Sequence, residues 1–169
     1  MPSLQLPSEV VAVLRNFYTC EYTTVNRQGQ PVTWPSVTYF DEGAGMIVAA
    51  VSVAFPVKAY NARRHPQVSM LYSDPTGSGL EDPPAVLVQG DARVAEVLEY
   101  TPPIIGLFKK VRRQQPDSAK FTANNLTRNL FVWYLFQRIA LVVEPRRILV
   151  WPHRDFSQAP SEVEVRYVE

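Results

Sequence analysis

Cysteine is almost missing from this chain. Cys20 is the only one in 169 residues, so no intrachain disulfide can form. Histidine is nearly as scarce: His65 and His153 stand alone, too few for a zinc site of the usual kind. Excess charge of either sign is absent. The 17 Lys and Arg residues against 16 Asp and Glu give a formal net charge of +1, and a general nucleic-acid binder would be strongly basic. A membrane-length apolar run is lacking too. "NLFVWYLFQRIALVV" comes nearest, but Gln137 and Arg138 interrupt it short of the ~18 apolar residues a span needs. It reads as core. With a lone cysteine and no cationic, apolar leader at the start, a cytoplasmic protein is expected.

What is present describes one globular domain. The composition is 46% hydrophobic and 20% charged, ordinary for a soluble fold. Ser8 stands where it can cap a helix "EVVAVLRNF", with Val10, Val11 and Leu14 on one side. "CEYTTVN", a glycine turn in "RQGQ", "PVTWPSVTYF", a turn "DEGAG" and "MIVAAVSV" read as an antiparallel meander. Pro31 and Pro35 lack backbone donors, so the middle strand should be an edge, or bulged or open, near them. "KAYNARRH" is a short helix that Pro66 ends. "QVSMLYS" and "AVLVQGDARV" are strands, the second carrying Gly90 as a bulge or a close backbone contact. A helical insert spans about 101–136, with a break at "QQPDSA". "RIALVVE" and "RRILVWP" read as two strands separated by Pro145, and "VEVRYV" as a tail able to pair. The fold class is therefore mainly β: a six- to seven-stranded antiparallel barrel with added helices, a single domain over 1–169.

The order of these pieces resembles the pyridoxamine 5′-phosphate oxidase-like superfamily of split β-barrels, the flavin and deazaflavin oxidoreductases and their relatives. The matching residues are Gly29, Pro31 and Val32; then Lys58, Asn61, Pro66 and Val68; then Val88, Gly90, Ala92 and Val94. The match runs over roughly residues 9 to 97. The resemblance implies a homodimer with its cofactor at the subunit interface, and FMN as that cofactor. The deazaflavin coenzyme (F-420) is the alternative, and haem the less favoured one. It also implies that Lys58, in the first turn of the short helix, lies near the cofactor phosphate. A point charge there adds to the free amides and positive dipole end of the helix.

Ser52, Asn61 and one of Arg63 or Arg64 are the candidate partners of Lys58. The bland alternatives are a solvated lysine and a helix end with its usual cations. Trp34 and Ser36 in "WPSVT" are candidates for the ring platform, although Trp34 serves equally as a barrel-packing residue. Two features depart from the superfamily. Pro56 and Val57 stand where many members carry an arginine, and "VWPHRDF" echoes the vitamin B6 oxidase substrate motif only loosely. The expected function is hydride transfer between the cofactor and a small apolar or aromatic substrate, with rings of "FVWYLF" in the insert, Trp133 and Tyr134 among them, lining the pocket or a dimer interface, core packing being the bland alternative. A non-catalytic flavin- or haem-binding protein on the same fold is the alternative. No nucleophile, base and orienting acid stand at convincing spacing, and hydride transfer needs none.

Overall fold

The computed structural model describes residues 3–96, 102–114 and 138–168. In chain order the elements are β1 (Ser3–Gln5), α1 (Ser8–Asn16), β2 (Cys20–Val25), β3 (Pro31–Ser36), β4 (Thr38–Asp41), β5 (Met46–Ser52), α2 (Val57–Arg64), β6 (Gln67–Tyr72), β7 (Ala85–Val94), α3 (Pro102–Gln114), β8 (Arg138–Trp151), a 3-10 turn (Pro152–Arg154), β9 (Ser161–Val163) and β10 (Arg166–Val168). The main sheet runs β3-β2-β6-β7-β8-β5-β4, with β9 on β8. All its pairings are antiparallel.

The two edges of this sheet are consecutive in the chain, joined only by Val37. The expected middle strand of the meander is therefore two. Its first half pairs with β2, from Val25↔Pro31 to Cys20↔Ser36, and its second half with β5. The prolines explain the break, because Pro31 and Pro35 cannot donate to a second neighbour and β3 stays an edge. A sheet whose edges are one residue apart has to curl on itself, which gives the split barrel. Its interior is filled from alternating positions. Cys20, Tyr22 and Thr24 of β2 and Val68, Met70 and Tyr72 of β6 are all buried, as period-two strands require.

Gly90 proves to be both a bulge and a close contact. Its partner is Pro145 while Gln89 pairs with Arg147, so Arg146 is the extra residue. A Cβ on Gly90 would lie 2.2 Å from the Glu144 carbonyl oxygen. Pro145 does not separate two strands as expected: β8 is continuous over 14 residues. β5 pairs with β8 only up to Val143, and β9 pairs only from Ile148. Pro145 falls between these two partners on that side of β8, and on the other side it sits at the bulge opposite Gly90.

Ser8 does not cap α1. Pro7 takes the N-cap position with no side-chain bond, and the buried face is Val10, Val13 and Leu14. Proline at the entry fixes φ and supplies the carbonyl that Val11 N–H reaches at 3.1 Å. α3 packs on β4 through Gly106, where a Cβ would stand 2.6 Å from the Tyr39 ring. The C-terminal tail does pair, β9 on β8 and β10 on β1. The remainder of the expected insert, Trp133 and Tyr134 included, lies outside the described residues. No described helix is long and apolar enough to cross a membrane.

Candidate functional site

The start of α2 carries the densest set of expected site residues. Helices leave their first amides without intrahelical acceptors. Here the first bond is Tyr60 N–H to the Pro56 carbonyl, and no side chain caps the end. The amides of Val57, Lys58 and Ala59 therefore have no acceptor among the described residues, and the helix dipole adds positive potential beside them. Ser52 closes β5 just before this point. Its hydroxyl oxygen accepts the Ala54 N–H at 3.2 Å, and its carbonyl accepts the Phe55 N–H at 3.0 Å. The Ser52 hydroxyl proton remains available to donate.

Lys58 leans from this end onto β3. Its ammonium donates to Ser36 Oγ at 2.6 Å, and Ser36 passes the bond on to the Trp34 carbonyl at 3.3 Å. The same Nζ stands 5.8 Å from the Trp34 ring centre and 5.9 Å from that of Tyr22, within cation–π range. Half-burial removes water from the ammonium and lowers its pKa, with Cys20 acting weakly the other way. Lys58, Ser36 and Trp34 thus form one cluster beside the open amides. The outer edge of β3 pairs with no described strand, so its backbone groups are available to a ligand.

The other candidates face elsewhere. Asn61 turns inward, and its amide donates to buried Thr24 Oγ1 at 3.1 Å, which fixes α2 to β2. Arg63 reaches the Ala95 carbonyl at 3.4 Å, at the far end of the helix. Arg64 is exposed and bonded to no described residue. His65 is the C-cap residue of α2, and its N–H bonds the Asn61 carbonyl.

Tyr22 is the residue that sequence reasoning missed. It is fully buried beneath Lys58, its hydroxyl has no hydrogen-bond partner among the described residues, and burial raises its pKa above the normal phenol range. The strand alternation of Cys20, Tyr22 and Thr24 was the available signal. Deeper in the barrel Thr38 and Tyr72 share a hydrogen bond at 2.8 Å. Burial pushes the neighbouring Cys20 thiol up to about 12, so it is a neutral core residue rather than a reactive thiolate. No group of three or more His, Cys, Asp or Glu able to hold a metal occurs among the described residues.

No family model matches the chain, and no curated protein matches it. Solved structures do. A protein described as a putative pyridoxamine 5′-phosphate oxidase from Listeria innocua aligns with a TM-score of 0.54 and 15% identity, over 84% of this chain and 94% of that one. An F420 reductase aligns at 0.52 and 15%, over 85% and 98%. A heme binding protein from Mycobacterium smegmatis aligns at 0.57 and 11%, over 94% of this chain but 59% of its own. At these identities the likeness establishes the fold. The chain has the split-barrel fold of these structures, as the order of its motifs indicated.

Proposed function

We propose that this protein is a cytoplasmic, homodimeric oxidoreductase that binds FMN, or the deazaflavin coenzyme, at the start of α2. The observation that carries the reading is the donor set: Lys58, the open amides of Val57 to Ala59 and the Ser52 hydroxyl, directly after β5. This set suits a phosphate chemically. Trp34 and the free edge of β3 offer an aromatic wall and backbone groups for the polar rim of a ring. The bound cofactor supplies the hydride chemistry, and the protein binds and orients it. The apolar or aromatic substrate expected from the sequence of the insert is part of the same proposal.

Exposed apolar side chains around the site support the dimer. Phe55, Val57 and Tyr60 are 71%, 52% and 56% exposed beside Lys58. A second copy seated there would cover them and close the site. A specific feature favours the non-catalytic alternative: Lys58 is the one cation at this helix start, with Pro56 and Val57 in the preceding positions. Weaker phosphate affinity would suit a carrier.

Titration of FMN, deazaflavin coenzyme and hemin into the parent and Lys58→Met tests these readings, followed by absorbance. A charge-assisted bond is worth about 1.5–3 kcal/mol, so the variant should bind the true cofactor roughly ten- to a hundredfold more weakly. Binding of FMN and deazaflavin by Lys58→Met at parental strength would remove Lys58 from the site. Hemin binding alone would support the non-catalytic reading.

A further inference from the structure

A second cluster of cations lies at the opposite end of β5. A groove of ≈ 640 Å³ runs between the C-terminal end of α1, the β4–β5 turn and α3. Arg15, Lys109, Lys110 and Arg113 line it, against Asp41 and Glu42. The seven residues of β5 separate it from the start of α2 by about 20 Å at ~3.3 Å per residue. It is not part of the Lys58 site.

The acids do not balance these cations. Arg15 and Glu42 form an ion pair with each other, and Asp41 accepts the Ala44 N–H in its own turn. Neither Lys109 nor Arg113 pairs with a carboxylate among the described residues. Lys110 is 7% exposed, and the bond found for its ammonium is to the Leu14 carbonyl at 3.3 Å. A buried ammonium normally has a counter-ion. The Cys20 thiol in the core, whose pKa burial pushes up to about 12, stays neutral and supplies none. Arg113 adds repulsion to the burial that already depresses Lys110 to about 8. Among the described residues these two cations have no carboxylate partner, and such a pair is the mark of a site completed by an anion.

We propose that this groove binds a small polyanion, a phosphate ester or diphosphate, with Lys110 and Arg113 as its inner contacts and Lys109 at the rim. The arrangement suits phosphate: a planar guanidinium fork beside point-charge ammonium groups, in a volume large enough for a small metabolite. The ligand would be additional to the cofactor.

The test uses inorganic pyrophosphate as the probe, in phosphate-free buffer, with amide NMR shifts and calorimetry. The expected result is saturable binding with shifts at Gly43, Gly106, Lys109 and Arg113. Lys109→Ser with Arg113→Ser, both exposed positions, should weaken it by about tenfold or more, since at least one charge-assisted bond is lost, with circular dichroism unchanged. Lys58→Met should retain these shifts in full. Shifts confined to the start of α2, no saturable shift at millimolar probe, or parental affinity in the double variant would each overturn the proposal.

Discussion

Lys110→Met puts the electrostatics of the groove to a quantitative test. The native ammonium has its pKa lowered from 10.5 to about 8, chiefly by burial, with Cys20 acting the other way and Arg113 adding a smaller repulsion. Each pKa unit corresponds to ~1.4 kcal/mol, so a charged Lys110 costs the fold about 3 kcal/mol at most. The direction follows from proton counts. Below about pH 8 the folded and unfolded chains both hold the proton, and the full cost is present. Between about pH 8 and about pH 10.5 the unfolded chain binds more protons, so this group makes stability rise with pH. Methionine has similar length and no charge. Near pH 7 it should recover the burial cost, less about 1 kcal/mol for the lost bond to the Leu14 carbonyl. Cys20, Tyr22 and Tyr72 have raised pKa values and act oppositely, lowering stability as the unfolded chain ionises. The parent's own pH curve therefore mixes the two trends, and the difference from Lys110→Met isolates Lys110. Urea unfolding of both proteins, without added phosphate, should show the variant's advantage shrinking by about 2 kcal/mol between about pH 7.5 and about pH 9.5. A difference that stays constant across that range would refute the buried, uncompensated charge.

Gly90→Ala should destabilise by about 3 kcal/mol or more, read as a lower urea midpoint, because the methyl meets the Glu144 backbone oxygen rather than a movable side chain. Parental stability would mean that β7 and β8 are not so closely apposed there. Asn61→Leu should cost about 1–3 kcal/mol by stranding Thr24, while cofactor affinity changes less than in Lys58→Met. A larger affinity loss in Asn61→Leu would restore Asn61 to the phosphate contacts. Light scattering at micromolar concentration should give a dimer, and Tyr60→Glu, placing a charge in the exposed apolar patch, should shift it toward monomer; an unshifted dimer would mean that the patch lies outside the interface.

The fold was legible because its signals are local. β-branched and aromatic runs marked the strands, Gly90 marked the bulge, and Pro31 and Pro35 announced an edge. The partner switch at Val37 was not, because nothing in "PVTWPSVTYF" says that its halves pair with different strands. Pro145 misled for a related reason: a proline interrupts a strand only where a neighbour needs its N–H, and the missing neighbour is invisible in sequence. The candidate site depends more strongly on such long-range facts. Lys58 was identifiable from its place at a helix start, but its contact with Ser36 joins residues 22 positions apart. Asn61 was a candidate partner of Lys58 by its place in the motif, but its buried amide takes a buried acceptor, Thr24. Lys110 carried a signal that charge alone concealed. Beside Lys109 it resembles a solvated pair, yet Ile104, Leu107 and Lys110 recur every third residue, on the buried face of α3. A lysine on an apolar stripe must either reach water or find an acceptor. The end of α1 supplies one in the Leu14 carbonyl, and the remaining positive charge is what makes the groove beside it an anion site.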